Sequence, residues 1–417
     1  MLEKNKKFSF DIVIFILLFG LLPVDMLNGY LLREVGVSSL ITISQIYKII
    51  ILFFLFIRVN SIEKVFFLSL FLLLIIPTLY QILTSFNIKL IFVDAVKIIK
   101  YLGSVLAFFY FRNIFVNKGH LLKWVYRWFL FSFMILIFNI FLKLFGFGFP
   151  MYTLSTFEIG TKGFFYAGNE VSVVLIILSS FLMYWYQINN KSYLFVVIGL
   201  LSIVTGILIT SKAAILGPIF TFSYFFIFKP NRVKIKLLTI FSSLFFLTFL
   251  LPSGLFFIIN YLRSADIAQR LSYFWNELDF FTFLMSNRNN FLLDFIEIFK
   301  KNYNIIEVFI GVGQSSFETL NNNRIIELDF FDIYFAYGFI GIFLFMYYIL
   351  FLIVTSKIKS LNKMLYPFSH FSSFIILFLI FLSFLSGHIF NSGMASLYIG
   401  CVFSIMYYKN KYENKLS

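Results

Sequence analysis

An all-α polytopic membrane protein with about twelve transmembrane helices is predicted by three observations. The 417-residue chain is 61% hydrophobic and 22% aromatic, with 64 Phe, yet only 13% charged. Soluble domains are about 45–50% apolar and about 25% charged. A mean hydropathy of +0.93 therefore excludes a soluble enzyme and a disordered chain. Second, apolar windows of about 20 residues recur, the length needed to cross a roughly 30 Å hydrocarbon core. Third, the basic residues sort by side of those windows, as the positive-inside rule requires.

The windows are 9–28, 40–57, 65–85, 91–111, 124–145, 169–187, 193–210, 212–228, 236–258, 329–354, 367–386 and 390–408. Runs such as Phe67–Ile76 do not alternate, which argues for helices against a barrel. No small-residue cleavage site follows the apolar run 8–22, so a removed signal peptide is not expected. Cys401 is the sole cysteine, which excludes an internal disulfide and a CxxC site. The chain reads as one transmembrane domain, 1–417. A long extracytoplasmic loop, 259–328, separates spans nine and ten.

With the N-terminus cytoplasmic, twenty bases fall on the inner side, among them Arg58, Lys64, Arg112, Lys118 and Lys359. Eleven fall outside, six of them in the long loop, where charge is a poor guide to orientation. Both termini are thus expected in the cytoplasm, with the chain in the plasma membrane. The net charge of +15 becomes a topology signal facing anionic headgroups, and no nucleic-acid partner is needed.

The long loop carries an amphipathic helix. Phe291, Leu292, Phe295, Ile296 and Phe299 share one helical face, and Lys300 and Lys301 close it at the cation-favouring end. Such a helix lies on the membrane surface or covers a cavity. No GxxxxGK[ST], HExxH or GxSxG occurs, so neither a nucleotide cofactor nor a motif-defined metal site is expected.

Several outer helix starts carry candidate caps: Asn169, Ser211, Asp329 and Ser392. Lys212 follows Ser211 just inside such an end, where a cation opposes the helix dipole. Helix end and Lys212 together could hold a phosphate or pyrophosphate; the alternative is a lysine reaching the headgroups. Lys162 and Arg288 sit similarly in the two longer outer segments, 146–168 and 259–328, and Arg288 adds bidentate phosphate geometry. Glu327-Leu328-Asp329, with Asp332 beyond, enters span ten. Asp329 and Asp332 read as a capping pair, and one acid of the cluster reads as general base for a hydroxyl nucleophile. A divalent metal between Glu327 and Asp329 lacks a third ligand.

Within the spans, Asp94, Lys97 and Lys100 follow at i, i+3, i+6, which places Asp94 and Lys97 as a helical pair. Ionisable residues there face the bundle interior and mark function by default; a structural ion pair is the alternative. His388 lies in the short outer turn Gly387-His388-Ile389, where a lone histidine is read as either structural or catalytic.

At these residues the sequence resembles the O-antigen polymerase/ligase superfamily, the Wzy-like polysaccharide polymerases. The matching pieces are Lys162-Gly163-Phe164, Gly168-Asn169-Glu170, Thr210-Ser211-Lys212, Ser286-Asn287-Arg288, Gly311-Val312-Gly313, Glu327-Leu328-Asp329, Gly338-Phe339-Ile340-Gly341 and Gly387-His388. The resemblance implies glycosyl transfer outside the membrane from a polyprenyl-pyrophosphate-linked oligosaccharide. It implies a surface polysaccharide of O-antigen or capsule type, and makes a flippase and a chain-length regulator candidate partners. Lys162, Lys212 and Arg288 then match pyrophosphate-binding positions that are often Arg. Related ligases carry His-[Asn/Ser/Gln]-x9-Gly-x-x-Gly, and that His falls on Glu327, so a polymerase is favoured over a ligase. The rival reading from another class is a transporter or flippase of lipid-linked glycans using Asp94, Lys97 and Lys100.

Overall fold

Hydrocarbon offers no partner for backbone N–H and C=O groups, so the apolar segments close their hydrogen bonds internally as helices. The computed structural model describes residues 10–36, 42–85, 87–153, 158–228, 279, 282, 285–322, 324–385 and 387–410. The expected span 236–258 and residues 259–278 of the long loop lie outside the described residues.

The described helices are α1 (Phe10–Phe19), α2 (Leu21–Arg33), α3 (Ile43–Arg58), α4 (Ser61–Ser85), α5 (Lys89–Asn117), α6 (Leu122–Phe141), α7 (Gly168–Ile188), α8 (Ser192–Ile209) and α9 (Lys212–Ile227). After the gap come α10 (Arg288–Asn302), α11 (Ile305–Ile310), α12 (Gln314–Leu320), α13 (Asp329–Ser360), α14 (Ser369–Leu385) and α15 (Ser396–Ser404). Two-residue strands, Tyr152–Thr153 and Glu158–Ile159, pair antiparallel in the connection after α6. Helix thus occupies eleven of the twelve expected windows.

Five of the described helices are long and apolar enough to cross a membrane: those at Ser61–Thr84, Gly119–Phe145, Gly168–Ile188, Ser192–Ile209 and Asp329–Ser360. The bent pair α1–α2 makes a sixth. Its 40° bend falls at Gly20, where the Leu17 carbonyl accepts from the Gly20 amide at 3.0 Å and from the Tyr47 hydroxyl at 2.7 Å. Large apolar side chains such as Phe53, Phe92, Phe138 and Phe343 point outward, as a lipid-facing surface requires. The chain is an all-α membrane protein.

The main core is built on α5, α6, α7 and α15. Helix α7 is buried over 89% of its span window. Small residues let α15 approach α5 closely: Gly400 rests on the Ser104 carbonyl and on Ala107, and Gly103 rests on Ser396. A second core lies beneath the loop segment. Phe295 of α10 is fully buried between Phe317 and Phe335, each with its ring centre 4.8 Å away. The amphipathic helix therefore lays its apolar face on α12 and α13.

Charged groups gather at the two ends of the bundle. At one end Arg58 and Lys118 converge on Asp11, while Arg112 and Asn113 hold Glu63. The other end carries the candidate site.

Candidate active site

The first turn of α13 organises this end. Asp332 accepts from the amides of Ile326 (3.0 Å) and Leu328 (3.1 Å), the two neighbours of Glu327. Glu327 is held between them in a left-handed conformation, φ 65°. Asp329 accepts from the amides of Ile389 (3.0 Å) and Phe390 (3.1 Å), which pins the turn bearing His388. That turn is also left-handed, with φ 53° at Gly387 and 56° at His388. A Cβ on Gly387 would overlap the Glu327 carbonyl, so only glycine lets the two strained segments meet. The capping pair expected of Asp329 and Asp332 is corrected here. The cap position is Leu328 and makes no side-chain bond, because both carboxylates serve neighbouring segments.

Glu327 and His388 face each other, with Oε1 3.6 Å from Nε2. The other oxygen, Oε2, accepts from Arg288 Nη2 at 2.6 Å and Nε at 3.1 Å, and from Asn169 Nδ2 at 3.5 Å. Arg288 opens α10 directly after Ser286 (φ 54°) and Asn287 (φ 69°). Among the described residues seven non-glycines have positive φ, and four of them, Ser286, Asn287, Glu327 and His388, lie in this centre or directly before Arg288. Each such residue costs about 1–3 kcal/mol, and strain of this kind concentrates where a site is built.

Burial favours the neutral carboxyl of Glu327, but His388 and Arg288 outweigh it and hold the group down at about 2. Burial likewise opposes charge on His388. Glu327 beside it, with Asp329 and Asp332 behind, raises the imidazole above its ordinary value. Glu327 is thus a fixed anion and a very weak base. Of this pair, His388 is the better proton acceptor.

Of the three expected cations, Arg288 meets this pair directly. Lys212 Nζ donates to Ser286 Oγ at 3.1 Å, two residues before Arg288. Ser211 is the true cap of α9, accepting from the Ala214 amide at 3.1 Å, as expected. Lys162 is 6% exposed, and its stem lies beside Gly168 at the start of α7. Burial, then the charge of Arg33, lowers its amine to about 8. Helix α7 starts one residue earlier than expected, and its cap position, Ala167, makes no side-chain bond. Asn169 instead reaches Glu327.

Sequence reasoning gave no role to Glu170, yet its carboxylate accepts from Ser392 Oγ (2.9 Å) and the Met394 amide (2.8 Å). It anchors the His388 turn from α7. An acid in a first helical turn reads as a dipole complement, which hid this role. Arg33, which lies over the rings of Phe149 and Tyr166 beside Lys162, was equally silent.

The pairing expected within α5 is not found. Asp94 is buried and accepts from Thr78 Oγ1 (2.6 Å), the Ser315 amide (2.7 Å) and the Ser315 hydroxyl. Lys97 pairs with Glu318 at 2.7 Å. Both residues tie α12 to α5 in place of each other, and Lys100 runs past Gly393. The glycine motifs share one purpose. Helix α13 breaks at Gly338 (φ 62°, ψ −161°), the Gly313 amide donates to the Ala336 carbonyl at 2.8 Å, and the 309–313 segment fits against the break.

Residues 274–411 match the family model described as O-antigen ligase like membrane protein. The match covers about a third of the chain and supports a likeness to the O-antigen polymerase/ligase superfamily. No curated protein and no solved structure matches it. The superfamily match spans Arg288, Glu327, Asp329, Asp332 and His388; Lys162, Lys212 and Asp94 lie before it.

Proposed function

We propose that the protein polymerises polyprenyl-pyrophosphate-linked oligosaccharide repeats into a surface polysaccharide. In this reading the chain crosses the plasma membrane twelve times with both termini cytoplasmic, and the site faces outward. The observation that carries it is the Arg288–Glu327–His388 chain within the segment that matches the O-antigen ligase-like family.

His388 is the general base, and Glu327 is its positioning residue. The acceptor sugar hydroxyl attacks the anomeric carbon of the donor glycan as His388 takes its proton. The bond to pyrophosphate breaks with both electrons going to the phosphate oxygen. Lys162, Lys212 and Arg288 balance the charge that develops there. Glu327 holds the imidazole and stabilises the imidazolium that forms. Asp329 is 1% exposed and bonded to backbone amides, so it anchors the turn and does not act as base. The imidazole that related ligases carry at the Glu327 position comes here from residue 388, beside the same place.

Deleting the gene should leave lipid-linked single repeats in place of long polymer. Polymer of undiminished length in the deletion strain would end the proposal. A ligase reading is favoured by the ligase-like character of the matching family; it predicts transfer of single repeats to a separate purified acceptor, where the polymerase gives a ladder on the lipid.

The pH dependence follows from the raised pKa of His388. A base acts only when deprotonated, so turnover falls as pH drops through a value above about 6.5. Removing the anion in Glu327→Gln removes the group that raises it, and this acid limb should shift to lower pH. An unmoved limb in the kcat/KM profile would separate Glu327 from the base.

A further inference from the structure

A second group of charges and aromatic rings stands at the end of α2, and the reaction described above uses only its lysine. Gly29 rests directly on the backbone of residues 164–166, where an added Cβ would overlap the Phe164 carbonyl. Arg33 follows one turn further along the same helical face. Its guanidinium lies over two rings, 5.2 Å from the centre of Phe149 and 5.5 Å from that of Tyr166. Phe149 is fixed in turn to the Lys162 segment. Its amide donates to the Gly163 carbonyl at 2.7 Å, and its carbonyl accepts from the Lys162 amide at 3.1 Å.

Two cations thus stand together without an anion. Lys162 is 6% exposed, and its amine has no hydrogen-bond or ion-pair partner among the described residues. A buried charge of this kind is costly unless a ligand balances it, and in the polymerase reading a substrate phosphate does so. Arg33 has no ion pair among the described residues either. Glu158, the acid of the same outer segment, is held by Lys143 at 3.1 Å, and Glu34 beside Arg33 is exposed. Two rings steady the guanidinium and leave its N–H fork free, a geometry that fits a planar carboxylate. Tyr166 is 55% exposed and stands three residues before Asn169, whose side chain reaches Glu327. A pyranose has a face of C–H groups that packs on such a ring while its hydroxyls stay in water.

We propose that Arg33 and Tyr166 form a subsite for an acidic sugar of the repeat unit, its ring packed on Tyr166 and its carboxylate held by Arg33. The proposal rests on the lipid-linked glycan reading for the phosphate at Lys162. Phosphate and carboxylate are then gripped by neighbouring cations, which orients the glycan. The subsite selects acidic repeats over neutral ones, because a neutral hydroxyl makes a weaker bond to the guanidinium.

The test is saturation-transfer NMR on the full chain in zwitterionic phospholipid nanodiscs. The probes are methyl glucuronide and methyl glucoside, which differ only in a carboxylate at C6. Wild type should bind the glucuronide about tenfold more tightly, the usual gain of a hydrogen bond to a charged group over a neutral one. Arg33→Gln should abolish that preference. Arg324→Gln, which removes an exposed cation elsewhere in the outer loop, should keep it. Tyr166→Ala should weaken both sugars and Tyr166→Phe neither, with each variant eluting from detergent as wild type does. Equal affinity for the two sugars in wild type, a preference that survives Arg33→Gln, or one lost equally in Arg324→Gln overturns the proposal. The two readings fail separately. Unimpaired polymer in His388→Ala with the glucuronide preference intact would sink the catalytic account alone. No preference in wild type, with polymer dependent on His388, would sink the acidic-sugar subsite alone.

Discussion

Replacing His388 by Ala lowers polymer formation by about 10²–10⁴-fold, the usual worth of a positioned general base. The fold should tolerate the change. The backbone of the 387–390 turn is held by Asp329 through the amides of Ile389 and Phe390 and not by the imidazole. The loss should appear in kcat, because proton removal matters in the transition state and little in binding. Glu327→Gln keeps the shape beside the imidazole and removes only the charge, so its loss should be smaller and accompanied by the shifted acid limb. Chain-length analysis of polymer from cells carrying each variant at matched membrane levels measures both. Equal, complete loss in the two variants would make Glu327, and not His388, the reacting group.

Arg288→Ala carries the second large effect, a fall of about 10²–10³ in kcat, as for loss of one preorganised donor to a developing anion. Arg288 presents Nε and Nη2 to a single oxygen of Glu327 and stands at the start of α10, so one side chain links the base pair to the helix start. Lys offers a point charge without the planar fork and should recover little of the loss. Lys212→Ala, whose amine meets Ser286 beside Arg288, should act in the same direction but more weakly. Full activity in Arg288→Lys would show that charge alone suffices and that the fork has no role.

Apolar length and helical period made most of the helices legible, including the amphipathic face of α10 and the Ser211 cap. Lys162, Lys212, Arg288, Glu327 and His388 were also legible one by one, as charges that local stability does not require. Their partners were not. Lys97 meets Glu318 across 221 residues, and Asn169 meets Glu327 across 158. Spacing along one helix suggested Asp94 with Lys97, but the α12 amide and hydroxyl groups offered Asp94 better bonds. Asp329 and Asp332 look like a capping pair because a cap is a local pattern. Their real partners, the amides around residues 326, 328, 389 and 390, depend on left-handed turns that a glutamate and a histidine do not announce.

In the proposed reaction one centre, built by Glu327, Arg288 and His388, transfers lipid-linked repeats onto one another. Purified protein in nanodiscs, supplied with a single lipid-linked repeat as both donor and acceptor, tests this most directly. Wild type should give a ladder of lipid-linked oligomers with release of polyprenyl pyrophosphate, and His388→Ala single repeats only. A ladder of equal length from His388→Ala, or none from wild type while repeats pass to an unrelated acceptor, would contradict it.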